Sequence, residues 1–313
     1  MLLKLLPQML VDGLQLGFVY AIVALGYTMV YGVLHFINFA NAEIFMCGAF
    51  IGAEVLIALL GAAAGGGWTV FAFAVALLAA LVLTGLLGVF IERVAYRPLR
   101  SAPRLVPLIS AFGVSYFLQD FVRVAETFAH NSFYLTLPSI FKREFVLNEY
   151  TKVTVRAILI VGVCLAALAI LYTFIHRTKV GNAIRCVSQN QTMSALLGIH
   201  VNKTITTTFF VGAAMGGVAG TMFAIQYGMI NPYIGITIGN KAFTAAVFGG
   251  IGSIPGSMLG GVLIESLAAG YLNTLTGGVI GSGYKDIFAF VVLIVVLIIR
   301  PHGLLGRKTA EKV

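Results

Sequence analysis

The chain has 313 residues, of which 59% are apolar and only 10% are charged, against about 25% charged in an ordinary soluble domain. A soluble fold of this length needs a charged surface, which 20 basic and 11 acidic residues cannot supply. The composition therefore excludes a cytosolic enzyme, a secreted disulfide scaffold and a disordered chain. It indicates an all-α, polytopic membrane protein.

Apolar runs long enough to cross a bilayer as a helix, which takes about 20 residues, recur along the chain. Four runs lack Asp, Glu, Lys and Arg: Gly13–Leu34, Thr69–Ile91, Ala157–Ile175 and Thr204–Tyr227. Three weaker runs include charged residues: Ile44–Leu60, Leu105–Val124 and Tyr284–Ile299. All seven are predicted to be membrane spans.

Residues 240–272 follow a different pattern. The apolar stretch Ala242–Gly252 is too short to span, and it ends at a Gly-Ser-Ile-Pro-Gly break before Ser257–Leu272. Irregular backbone at membrane depth is tolerated only where protein buries it or where it lines a cavity. The pattern predicts a broken or re-entrant helix pair. The expected fold is one transmembrane domain over residues 1–313, with about seven to nine spans including this pair.

Basic residues cluster in three segments between or after the apolar runs. Segments 92–104, 176–203 and 300–313 together hold 12 of the 20 basic residues and two of the 11 acidic ones. Clustering of this kind follows the positive-inside rule rather than the pattern of a nucleic-acid-binding protein. The three segments and the C-terminus are therefore expected in the cytoplasm, and counting spans back puts the N-terminus outside.

The longest polar connection on the outer side is expected over residues 126–156. A connection of this length is more often functional than idle. It could receive an external partner, and a plain solvated loop is an equally good interpretation.

Motifs of enzyme chemistry are missing from the sequence. It contains no Walker A loop, HExxH, CxxC or GxSxG motif, and its five histidines are scattered. We therefore expect no catalytic residue, cofactor or metal in this chain. An intramembrane enzyme is the weakest hypothesis, because no nucleophile with a partnered base is evident.

Polar residues inside or beside the spans are the candidates for a substrate path. Asn38, Asn41 and Glu43 form the densest cluster, and Glu54 and Glu265 lie within other apolar runs. Acids at membrane depth are costly and are functional candidates by default. An equally weighted alternative is an interfacial helix cap, in which Asn41 caps a helix that begins near Ala42.

The basic segment 176–203 contains no acidic residue. Its apolar positions predict short amphipathic helices with a polar gap at Ser188–Thr192 and a helix stop at Gly198. Docking on a cytoplasmic partner is favoured over a plain connector. The candidate coupling residues are Arg177, Gly181, Arg185 and Gly198.

Several stretches resemble the permease subunits of bacterial ATP-binding-cassette importers for branched-chain amino acids, and most closely their H-type subunits. The more specific ones are Glu92-Arg-Val-Ala-Tyr-Arg-Pro-Leu-Arg100 and Lys241-Ala-Phe-Thr-Ala-Ala-Val-Phe-Gly-Gly-Ile-Gly-Ser-Ile-Pro-Gly256. Others begin at Gly26, Ile37, Ala195, Asn231, Tyr284 and Gly303. The likeness runs from about residue 10 to the C-terminus.

The resemblance implies a multi-pass subunit of the bacterial inner membrane that imports leucine, isoleucine or valine. It implies a second, M-type permease, two cytoplasmic ATP-binding subunits that hydrolyse ATP, and a periplasmic substrate-binding protein. It also implies that segment 181–199 faces the ATPase. Membrane lipid is an expected partner, and nucleic acid is not. Relatives that transport urea, short amides or other amino acids leave the substrate open, and a stand-alone secondary transporter or channel stays a separate hypothesis.

Overall fold

A computed structural model describes residues 2–62 apart from 35 and 37, 66–138 apart from 101 and 104, and 140–148 apart from 142. It also describes residues 151–250, 256, 259–263, 285–300 and 303–305. The helices whose bounds lie within these residues are α1 (Leu2–Leu34), α2 (Ala40–Ala62), α3 (Gly66–Ile91), α4 (Leu105–His130), α5 (Val155–Arg177), α6 (Lys179–Gln189), α7 (Gln191–Leu196), α8 (Val201–Tyr227), α9 (Ile234–Gly249) and α10 (Lys285–Ile299). A π-helical turn, Glu92–Tyr96, and a 3-10 turn, Arg97–Leu99, follow α3.

The described residues also include four short strands. Strand β1 (Leu135–Thr136) pairs antiparallel with β4 (Met229–Ile230), and β2 (Glu144–Asn148) pairs antiparallel with β3 (Thr151–Thr154). Register in the second pair runs from Glu144 opposite Thr154 to Asn148 opposite Thr151, with one irregularity between Val146 and Asn148. We call β2–β3 the hairpin.

Six of the described helices are long and apolar enough to cross a membrane: Val11–Leu34, Ala40–Gly61, Gly67–Leu99, Leu105–His130, Val155–Arg177 and Val201–Tyr227. They confirm six of the predicted spans, including the two weaker runs that carry Glu54 and Asp120. Helix α10 contains a shorter apolar stretch, Phe290–Ile299. The chain is therefore a multi-pass helical membrane protein.

The bundle has two ends that its contacts distinguish. At the hairpin end, Gln8 of α1 accepts a hydrogen bond from the Lys152 backbone at 2.8 Å. At the opposite end, which we call the α6–α7 end, Gln191 of α7 donates to the carbonyl of Val33 at 2.8 Å. Helix α1 therefore runs from the hairpin end to the α6–α7 end.

Helix α8 lies at the centre of the bundle. Within its most apolar 18-residue window 89% of residues are buried, whereas the figure is 28% in α5. Helices α3, α4 and α5 expose large apolar side chains such as Phe90, Phe117 and Ile170. Such an outer surface suits contact with lipid or with another membrane protein, because neither demands a polar face.

Small residues let α2 and α8 approach closely. A Cβ added at Gly220 of α8 would lie 2.6 Å from the backbone nitrogen of Ala49 and would also collide with the carbonyl of Phe45. A Cβ at Gly48 would collide with the backbone of Gly217. The glycines of α8 thus make a backbone-to-backbone contact with α2.

Two sequence predictions need correction. Residues 126–130 are the last turn of α4 and residues 155–156 the first turn of α5, so the polar connection is shorter than 126–156. The short helix predicted at Ala242–Gly252 instead runs over Ile234–Gly249. Its 16 residues measure about 24 Å, which is less than the roughly 30 Å of a bilayer core. Residues 252–255 of the predicted break at 252–256, most of 257–272 and Glu265 lie outside the described residues.

Candidate functional site

Helix α2 begins inside the bundle and not at its surface. The side-chain amide of Asn41 donates to the carbonyl of Val23 at 3.4 Å, and Val23 lies three helical turns before the end of α1. The connection after Leu34 must therefore fold back along α1 before α2 starts. The candidate path residues therefore lie inside the bundle, between the α6–α7 end and the hairpin end.

Asn38 caps α2. Its Oδ1 accepts a hydrogen bond from the backbone of Ala40 at 3.1 Å and a second from the hydroxyl of Tyr96 at 2.5 Å. The interpretation of Asn41 as the cap is therefore wrong, because Asn41 lies within the helix and uses its side chain to hold α1. Local sequence could not separate the two, since either Asn can cap a helix.

Glu43 is completely buried near the middle of the bundle. Its Oε1 accepts from the hydroxyl of Ser115 at 3.3 Å, and Ser115 lies near the middle of α4. Its Oε2 has no hydrogen-bond partner among the described residues. A Cβ added at Gly235, in the first turn of α9, would collide with the Glu43 carboxyl group. The carboxylate thus lies against the start of a helix, where the partial positive charge favours it.

The start of α9 repeats the arrangement at the start of α2. Asn231 Oδ1 accepts from the backbone of Tyr233 at 2.9 Å, two residues on, as Asn38 does from Ala40. In both turns the Asn carbonyl accepts from the third residue on, at 3.3 Å from Ile234 and at 3.2 Å from Asn41. Two helices that follow a long span thus begin with the same capped turn, and their first turns meet at Glu43.

A cavity of about 410 Å³ lies beside the start of α9. That volume falls in the range of small-molecule sites. Most of its lining is apolar or aromatic, and it comprises Tyr134, Phe223, Asn231, Tyr233, Ile234, Thr237 and Ile238. Tyr134 directly precedes β1, so the cavity lies toward the hairpin end. Sequence reasoning did not select this site, because its residues come from two distant parts of the chain, Tyr134 and residues 223–238.

A buried ionic contact holds the π-helical turn to α8. Glu92 is fully buried and pairs with Arg100, and it also accepts from Thr206 Oγ1 at 2.9 Å. Arg100 in turn donates to Asn202 Oδ1 at 2.8 Å. From sequence this segment was predicted to be a cytoplasmic basic cluster and a family-like stretch, but its contact with α8 was not predicted. Its single acid among arginines was the available signal.

Segment 176–203 folds as predicted into two short helices, α6 and α7, with a break at Asn190. Thr178 Oγ1 accepts from the backbone of Gly181 at 3.0 Å and caps α6, and Asn190 Oδ1 accepts from Met193 at 3.0 Å and caps α7. Gly198 follows α7 with φ +82°, a conformation that favours glycine. The predicted helix stop is confirmed.

The four candidate coupling residues do not form one cluster. Gly181 is buried, and a Cβ there would collide with the carbonyls of Phe174 and Ile175. Arg177, Arg185 and Gly198 are exposed at separate points along the segment. Gly181 therefore sets how closely α6 packs against the end of α5, whereas the two arginines present charge to the surroundings.

Sequence reasoning missed two features of this segment. Leu196 and Leu197 are 78% and 80% exposed, side by side at the end of α7. Gln191, at the start of α7, reaches the carbonyl of Val33 at the end of α1. The segment thus exposes two apolar side chains at the end of α7. It also contacts the end of α1, and the connection that follows α1 leads to Asn38.

Comparison with known proteins places this architecture in a family. The family model described as "Branched-chain amino acid transport system / permease component" matches residues 9–297. The high-affinity branched-chain amino acid transport system permease protein LivH of Escherichia coli K12 is 42% identical over 98% of this chain and 97% of the relative. BraD of Pseudomonas aeruginosa, described in the same terms, is 44% identical over 98% of this chain and 97% of its own.

More distant similarity extends beyond amino-acid systems. The ribose import permease protein RbsC of Haemophilus influenzae is 26% identical over 45% of this chain and 44% of its own. No solved structure was found to match the chain. Because the family model spans nearly the whole bundle and the first two relatives align along it, the chain belongs to the family of branched-chain amino acid transport permease components.

Proposed function

We propose that the chain is the transmembrane permease subunit of an ATP-binding-cassette importer that takes up leucine, isoleucine and valine. The observation that carries the proposal is the alignment of 98% of the chain, at 42–44% identity, with permease proteins described as high-affinity branched-chain amino acid transport components. Similarity to a ribose permease covers less than half of the chain. The proposed partners of the chain are a second, M-type permease, two cytoplasmic ATPases and a periplasmic binding protein, and the transport cycle uses no cofactor bound to this chain.

The bundle is embedded in the bacterial inner membrane with its α6–α7 end and C-terminus in the cytoplasm. The positive segments 92–104 and 176–203 support this orientation, because their described parts meet at the α6–α7 end. The hairpin end then faces the periplasm. The cavity beside α9 lies toward that end, where the binding protein releases its ligand.

Asn38, Asn41 and Glu43 belong to the substrate path in this proposal. They lie at the start of α2, which begins inside the bundle and meets the first turn of α9 at Glu43. Helices that begin at membrane depth direct backbone N–H groups into the interior, where a zwitterionic amino acid needs polar partners. Glu43 is buried in the described conformation, so the path is closed at this level.

Coupling to the ATPases runs through α7. Its exposed leucine pair, Leu196 and Leu197, supplies an apolar docking surface, and Arg177 and Arg185 supply charge nearby. The Gln191 contact with Val33 connects a displacement of α7 to the end of α1. The connection from α1 then carries it to Asn38, which caps α2. ATP binding in the partner subunits thereby changes access at the starts of α2 and α9.

Uptake in whole cells tests this proposal. The chain is produced with its partner subunits in a host that lacks its own branched-chain importer, and entry of radiolabelled leucine is measured. We expect uptake that unlabelled isoleucine and valine compete with and that urea, acetamide and ribose do not. Loss of the Walker A lysine in the ATPase subunits should abolish it. Uptake that survives this loss would favour a stand-alone transporter, and competition by urea or acetamide would assign an amide substrate.

A further inference from the structure

A cluster of potential metal ligands lies at the hairpin end, away from the candidate path. It contains Glu54, about two turns before the end of α2, and Glu126 and His130 at the end of α4. His130 Nδ1 lies 3.2 Å from Glu126 Oε2 and 3.5 Å from Glu54 Oε1. One ligand atom from each of the three side chains fits within a span of 4.8 Å.

Negative charge in this cluster exceeds what the imidazole can neutralise. The residue Glu126 is only 8% exposed. Oε1 of Glu54 is itself shielded from solvent and has no hydrogen-bond partner among the described residues. The basic side chain one turn earlier on α4, Arg123, pairs instead with Asp120 at 3.0 Å. Two neighbouring carboxylates of which one is buried require a proton or a cation between them.

Two of the three separations between ligand atoms are those expected around a bound transition metal. A tetrahedral zinc site with metal–ligand bonds of 2.0–2.1 Å places its ligand atoms about 3.3 Å apart. The separations of 3.2 and 3.5 Å about His130 Nδ1 bracket that value. Glu126 and His130 stand four residues apart on one helix face, so a single turn presents two ligands together.

We propose that Glu54, Glu126 and His130 form a binding site for a divalent transition-metal cation of the zinc class. His130 Nδ1 and one oxygen from each carboxylate supply three ligands, and water completes the coordination. A nitrogen ligand beside two carboxylates favours Zn²⁺ over Mg²⁺ or Ca²⁺, which prefer oxygen alone. The sequence predicted no metal site because the histidines are scattered, and only the packing of α2 on α4 joins Glu54 to His130.

The site bridges the same two helices that Glu43 joins at depth. Glu43 lies eleven residues before Glu54 on α2, and its partner Ser115 lies eleven residues before Glu126 on α4. A bound cation therefore holds α2 and α4 together at a second level. Its occupancy stabilises the folded chain because the separated ligands of the unfolded chain bind the metal more weakly.

Calorimetric titration of the purified full chain with ZnCl₂, without an affinity tag and after chelator treatment, tests the site. We expect one Zn²⁺ per chain that MgCl₂ does not displace, and a thermal unfolding temperature that rises with Zn²⁺. His130→Ala should weaken binding at least tenfold and remove the thermal shift. Glu126→Gln should act in the same direction and serves as the second variant if His130→Ala does not fold. His176→Ala, in the last turn of α5 at the α6–α7 end of the bundle, is the matched control and should bind Zn²⁺ like the parent chain.

Two outcomes would overturn the inference. One is equal Zn²⁺ binding by the parent chain, His130→Ala and Glu126→Gln, which would place the metal elsewhere. The other is no Zn²⁺ binding by a folded parent chain, which would leave a shared proton between the carboxylates. Neither outcome bears on the transport proposal, because the titration is independent of uptake.

Discussion

Replacement of Gly220 by alanine tests whether the close approach of α2 and α8 holds the bundle together. The added Cβ would lie 2.6 Å from the nitrogen of Ala49, 3.1 Å from the carbonyl carbon of Gly48, and in collision with the carbonyl of Phe45. All three are backbone groups, so relief requires that α2 move away from α8. Overpacking of this kind costs about 1–3 kcal/mol.

The helix propensity of alanine offsets part of that cost, by at most about 1 kcal/mol. For a chain of 313 residues the entropy of unfolding is about 0.7 kcal/mol/K, so a net loss of about 1–2 kcal/mol corresponds to a fall of roughly 2–3 °C in the thermal unfolding temperature. Gly113→Ala in α4 is the matched control, because a Cβ there meets no atom within 4 Å. Thermal unfolding of both variants in the same detergent gives the comparison. If Gly220→Ala unfolds at or above the temperature of Gly113→Ala, the close α2–α8 contact is not what stabilises the bundle.

Three further predictions concern the polar contacts. Arg100→Ala leaves the buried Glu92 without its cationic partner and should cost about 3 kcal/mol of folding stability. This is the low end for a buried pair, because the Arg100 side chain is 18% exposed. Arg97→Ala, at an exposed position, is the control in thermal unfolding, and equal stability of the two variants would refute the argument. Glu43→Ala should reduce leucine uptake more than Glu43→Gln when the two variants are present in the membrane at equal amounts. The reason is that glutamine keeps an acceptor for Ser115 and the packing against α9. Wild-type uptake by both variants would remove Glu43 from the path. Gln191→Ala should lower leucine uptake per ATP hydrolysed, because it removes the contact with α1. Gln189→Ala, at an exposed position, is the control and should leave this ratio unchanged. Parallel uptake and ATPase assays distinguish loss of coupling from loss of assembly.

Sequence reasoning predicted the spans well because their signal is local. An apolar stretch of membrane length leaves few alternatives to a helix, and Thr69–Ile91 and Ala157–Ile175 fall within α3 and α5. The α6–α7 pair was predictable for the same reason, since its apolar spacing, its polar gap and Gly198 all lie within one short segment.

The candidate site was predictable only in part. Asn38, Asn41 and Glu43 were selected as a group, and the fold places all three in the interior. Their separate tasks were not predictable, because the partners Val23, Tyr96 and Ser115 come from three other elements. The depth at which α2 starts is set by the chain folding back along α1, and no local pattern encodes that path.

Polar residues at helix ends caused the remaining errors. Glu126 and His130 were assigned to a solvated connection because charged residues usually mark the end of a span. They instead continue α4 by one turn, where they face Glu54 of α2. Helix ends are where sequence patterns are weakest, since the same residues suit a last turn and a loop.

The most direct test of the central claim is to identify what copurifies with the chain. A tagged copy is extracted from its own membrane in mild detergent, and its partners are identified by mass spectrometry. We expect a second permease and two ATP-binding subunits, and a Leu196→Ser/Leu197→Ser variant should lose the ATPases while it retains the permease. A homo-oligomer without ATPases, under conditions that preserve known importers of this class, would contradict the account.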